Sequence, residues 1–100
     1  MGNNAKWAHD LEITLIKGEG VCAAGHRVGD QWIWSGDGEQ LDLGKGMCVH
    51  ALGSMLPKLV AMRYGASLPW LKSDQHTSTH LCPDVANPHV FRIQRIHRDD

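Results

Sequence analysis

Between Leu11 and Lys17 the apolar residues Leu11, Ile13 and Leu15 alternate with Glu12 and Thr14, the period-two pattern of a half-buried strand. Gly18-Glu19-Gly20 breaks that run, and residues 21–30 read as a loop closed by Gly29-Asp30. Trp32 and Trp34 then share one face of a second strand with Ile33 opposite. Four glycines between Ser35 and Gly46 mark an irregular loop, expected to be mobile. From Met47 to Tyr64 the spacing changes to three and four residues, carried by Cys48, Leu52, Met55, Leu56, Leu59 and Val60, which predicts a helix ended by Gly65. Pro57 within it predicts a kink or a division into two short helices. Residues 77–82 predict a third strand stopped by Pro83. Residues 89–97 predict a fourth, with Phe91 and Ile93 on one side and Val90 and Ile96 on the other.

The order strand, strand, helix, strand, strand predicts an α+β fold, a mostly antiparallel four-stranded sheet with the helix on one face. No repeat or linker interrupts the 100 residues, so a single domain is expected, with residues 1–10 as a flexible start. A helix whose apolar stripe is about 100° wide covers one sheet face and leaves the other open. Trp32 and Trp34 either lie under the helix as core or line a patch for a protein partner or a homodimer.

Composition narrows the classes. The net charge of −1, with seven neutral histidines, offers no field for nucleic acid. No apolar run approaches the roughly 20 residues of a membrane helix, and the start lacks a secretory signal, so a soluble cytoplasmic protein is expected. The three cysteines cannot all pair within one chain, which favours reduced thiols. Gly44-Lys45-Gly46 lacks a phosphate-loop context, and the arginines of the last strand read as surface charge. Arg63, at the helix end, is expected to anchor a loop by pairing with Asp30 or Asp84.

Candidate chemistry comes from where the cysteines fall. Cys22 follows the first strand, Cys48 opens the helix and Cys82 closes the third strand, so three turns can bring them to one end of a small sheet. With His26, four residues beyond Cys22, they form a donor set for zinc or an iron-sulfur cluster, and the two are not separated by ligand softness. At a helix start the free N-H groups favour a thiolate at Cys48. His50 falls on the polar side of the helix and is set aside, while His80 shares a strand face with Cys82.

The order Cys22-x3-His26-x2-Gly29-Asp30, Gly46-x-Cys48-x2-Ala51, Pro57, Arg63-Tyr64-Gly65, Leu68-Pro69-Trp70 and Cys82-Pro83-Asp84-x2-Asn87-Pro88-x-Val90-Phe91-Arg92-Ile93 resembles a family of short uncharacterised proteins. They are described as an uncharacterised repeat family seen mostly in anaerobic bacteria and archaea. The resemblance runs from about Leu11 to Ile96 and implies that Cys22, His26, Cys48 and Cys82 are motif positions, with His50 and His80 outside. It also implies an oxygen-sensitive iron site, although this chain is a single copy. Three functions follow as expectations: a small metal-binding or iron-sulfur accessory protein for redox or anaerobic metabolism, a thiol-dependent enzyme using Cys48 with His26, or an interaction module with buried inert cysteines.

Overall fold

A computed structural model describes residues 8–22, 24–36, 46–71 and 74–96. Its elements are β1 (Asp10–Gly18), β2 (Gln31–Trp34), α1 (Val49–Arg63), β3 (Thr77–Leu81) and β4 (His89–Ile96). The strands form one antiparallel sheet in the order β2-β1-β4-β3. Two hairpins, β1-β2 and β3-β4, are thus joined through their long inner strands, and α1 crosses between them in sequence. This is the expected α+β arrangement. Among the described residues no helix is long and apolar enough to cross a membrane.

Alternation fixes which face is core. Ile13 lies opposite Ile93 on one side and Trp32 on the other, and Ser78 opposes Ile93. This row faces α1 and is fully or almost fully buried. The next row, Gln31, Thr14, Arg92 and Thr79, faces away, and Gln31 donates a side-chain hydrogen bond to Thr14 at 3.2 Å. The open face is therefore largely polar, as a solvated face of an antiparallel sheet should be. Trp32 and Trp34 belong to the buried face, 1% and 6% exposed. The partner patch expected of them is corrected to core: the helix covers their side of the sheet.

The helix buries Ala51, Met55, Leu59 and Met62, together with Arg63. Leu52 and Leu56 are half-buried and Val60 is exposed, so the buried stripe is rotated from the one read off the bulky residues. Ala51 lies on its centre, where a small side chain suits close approach to the sheet. Pro57 removes a hydrogen bond to Gly53, yet α1 runs through it as a single element. Its end is a Schellman motif: Gly65, at φ 83°, bonds through its N-H to Met62, and Ala66 to Ala61.

Two buried arginines fasten this end. Arg95 donates to the carbonyls of Met62 in the last helical turn, of Ala66 just past the helix and of Gln75 ahead of β3, placing a cation at the helix C-terminus. Arg63 lies 4.7 Å over the Trp34 ring and donates to the carbonyls of Ser35 and Gly36 and to the Tyr64 hydroxyl. It anchors a loop through the carbonyls that follow β2, where the sequence had pointed to Asp30 or Asp84. Residues 8–10, grouped by sequence with the flexible start, are packed: Ala8 is fully buried and His9 donates its N-H to Arg63. The first seven residues, most of the glycine-rich loop with Gly44 and Lys45, and the final four residues with Arg98 lie outside the described residues.

On the exposed edge of β3, Lys58 donates to the Thr79 carbonyl at 2.8 Å, blocking an edge that would otherwise accept another strand. Beside it the Ser54 hydroxyl and His80 Nε2 are 2.9 Å apart. Burial, with the Lys58 charge nearby, holds the His80 imidazole below its ordinary titration range.

Candidate functional site

Where β1 ends, β4 begins and α1 starts, the chain leaves a pocket of about 360 Å³. Cys22, Cys48, His50, Cys82, Asp84 and His89 are among its walls, contributed by the loop after β1, the helix start and the β3-β4 connection. All three thiols are free; Cys82 is buried, and Cys22 and Cys48 are half-buried.

The last connection is held rigid by a short network. Asp84 accepts N-H groups from Ala86 and Asn87, and the Asn87 side-chain amide reaches its other oxygen. Asn87 Oδ1 in turn accepts the Val21 N-H at 3.0 Å, tying the β3-β4 turn to the residue before Cys22. That clasp requires Gly20, whose φ is 74° and where a Cβ would stand 2.2 Å from Asn87 Oδ1.

The helix start is held from the other side. Cys48 is the N-cap, with φ −50° and ψ 128° and no side-chain cap. Its own N-H donates to His26 Nε2 at 2.9 Å. The His26 ring meets Trp32 edge-on at 4.9 Å, and Trp32 Nε1 donates to the Gly46 carbonyl. Sequence placed His26 among the donors to a metal; the structure gives its Nε2 to the Cys48 backbone and leaves the ring outside the pocket wall. The imidazole thereby orients the residue that carries the thiol.

Of the four residues proposed from sequence, Cys22, Cys48 and Cys82 are brought together around one space and His26 supports one of them from behind. His50, set aside because it faces the polar side of the helix, borders the pocket as well. Side chains of the first turn lean back past the N-terminus, so position along the helix outweighs its face there. Asp84, Asn87 and His89 were not among the candidates. The Asp-x-x-Asn turn signal was present for the first two; His89 is placed by strand register alone. Among the described residues no three His, Cys, Asp or Glu side chains are grouped so as to hold a single ion. Set against family models, curated proteins and solved structures, the chain matches none of them.

Proposed function

We propose that the chain is a small iron-sulfur protein, with Cys22, Cys48 and Cys82 as thiolate ligands, acting as an accessory to a larger redox enzyme. The observation that carries this reading is the convergence of every cysteine in the sequence on one pocket from three separate segments. Among the described residues no three donors are grouped around a single ion, whereas three thiolates suit a cluster in which one iron takes a weaker ligand. Bound there, it would supply one-electron transfer or an iron position open to substrate.

The protein's part would be to hold the thiols and tune their surroundings. Cys82 is buried among core residues, and the helix start brings its N-terminal N-H groups to the pocket, both of which bear on the potential of a bound centre. Purification and reconstitution without oxygen, followed by iron, sulfide and zinc analysis and a visible spectrum, tests the reading. Iron and sulfide with a visible charge-transfer band are expected, lost in Cys22→Ser, Cys48→Ser and Cys82→Ser. Zinc without colour would replace the cluster, and no bound metal would overturn the reading.

A further inference from the structure

We infer that the outer edge of β3 is a docking site for an extended acidic segment of a partner protein, which adds to the sheet as a further strand while its carboxylate takes Lys58. This does not depend on the metal reading above. The ladder shows which backbone groups are open. Arg95 donates its N-H to the His76 carbonyl and Cys82 donates its N-H to the His89 carbonyl, with Ser78 opposite Ile93 and His80 opposite Phe91 between them. The even-numbered residues of β3 therefore bond to β4, and the N-H and C=O groups of Thr77, Thr79 and Leu81 turn outward. β3 ends the sheet on this side, so a strand laid there meets a row of donors and acceptors.

The edge carries a lock, and the lock selects. Lys58 donates to the Thr79 carbonyl, and its ammonium lies 5.8 Å from the Trp70 ring. Burial shifts Lys58 below its ordinary value, and among the described residues no carboxylate stands beside it to oppose that. A neutral strand giving its N-H to Thr79 would evict the ammonium with nothing in exchange. A strand with a carboxylate in reach returns a partner to it, which offsets the displacement.

Register places the charge. Residues paired across a ladder share a face, and Lys58 reaches the edge from α1, on the inner face, where His80 meets Ser54. In antiparallel docking the residue opposite Thr79 exchanges both backbone bonds with it and faces outward. The residue before it, opposite His80, turns inward to Lys58. The one before that lies over Leu81, which is 55% exposed on the outer face. The segment therefore reads apolar, acidic, then a freely chosen residue. At the other end Asp74, which accepts the His76 N-H, disfavours a second carboxylate. A second copy of this chain does not satisfy the rule: laid antiparallel about Thr79, its β3 would set Ser78 opposite His80 and offer Lys58 no carboxylate.

The test titrates nitrogen-15-labelled protein with capped peptides: Val-Glu-Thr-Thr-Val, the same with Gln for Glu, and the same with Pro for the central Thr, which lacks the N-H that Thr79 would receive. Amide shifts of Thr77, Thr79 and Leu81 and hydrogen exchange at Thr79 are read. The Glu peptide should shift these amides, slow exchange at Thr79 and bind about fivefold tighter than the Gln peptide, while the Pro peptide should leave them unmoved. In Lys58→Met, with melting as the check on folding, the Glu and Gln peptides should bind equally. Equal binding of the two to wild type, binding of the Pro peptide, or a Glu peptide that leaves β3 unmoved would each overturn the inference without recourse to the variant. The same amides shifting with protein concentration alone would assign the edge to a second copy and overturn it as well.

Discussion

Replacing His26 by alanine separates a structural histidine from a metal ligand, because the structure assigns its energy to two contacts. The hydrogen bond from the Cys48 N-H, 2.9 Å long, contributes about 1 kcal/mol of net stability. The edge-on contact with Trp32, at 4.9 Å and 76°, contributes about 0.5–1.5 kcal/mol beyond area burial. Together the loss is about 2 kcal/mol. For a domain of this size each kcal/mol moves the melting temperature by about 4–8 °C, so His26→Ala should melt about 10 °C lower in the absence of metal. Glutamine can place an acceptor near the position of Nε2 without the ring, so His26→Gln should recover roughly half of that loss. Thermal unfolding by circular dichroism, with chelator present, is the assay. Equal melting temperatures for wild type and both variants would refute the assignment, and a deficit appearing only in the metal-loaded protein would return His26 to the ligands.

His80 has a folded value below its ordinary 6.5, through burial and then the Lys58 charge, so the unfolded chain binds the proton more readily. Its stabilising contribution is present above 6.5 and is lost as pH falls through the lowered folded value; urea titrations across that range should show a smaller acid loss in His80→Gln than in wild type. Gly20→Ala combines a left-handed φ of 74° with a 2.2 Å clash on Asn87 and should cost roughly 2–4 kcal/mol. Gly25→Ala, at φ 78° with nothing within 4 Å, should cost about 1–2 kcal/mol; equal costs by denaturant unfolding would show that the Asn87 clasp is dispensable. Trp32→Glu should unfold the protein whereas Ile33→Glu, at a position 45% exposed, should stay within about 0.5 kcal/mol of wild type, a contrast circular dichroism settles and whose absence would misplace the covered face.

The elements were legible because each kept one period from end to end. Leu11, Ile13 and Leu15 alternate without a break, and Gly65 marks the helix end by the one backbone conformation it supplies cheaply. Orientation was harder to read. Trp32 and Trp34 share a face by any reading, but which face α1 covers depends on the crossing of the helix, a long-range fact. The helical stripe was misjudged because bulk at Leu52, Leu56 and Val60 outweighed Ala51, and helix-sheet contact rewards close approach as well as size. Convergence of the cysteines followed from their positions at turns. The role of His26 did not, since it is set by which ring nitrogen meets which backbone group. The pairing of His89 with Gly18 depends on a register offset at the irregularity between Leu15 and Lys17, which no local pattern announces.

The central pairing of β1 with β4 joins Asp10 to Ile96, the first strand of the chain to the last. During synthesis, an emerging chain that has completed β1, β2 and α1 still carries Leu11, Ile13 and Leu15 with one long edge unmatched, and closing that edge spans nearly the entire polypeptide. Local hairpins form in microseconds, but a sheet organised around such a distant pair is gained late and in one step. The pocket inherits this timing. Cys22 and Cys48 are translated well before His89, yet the Val21-Asn87 and Gly18-His89 contacts exist only once β4 has docked. A ligand of this pocket would therefore find all of its walls in place only once β4 has docked against β1.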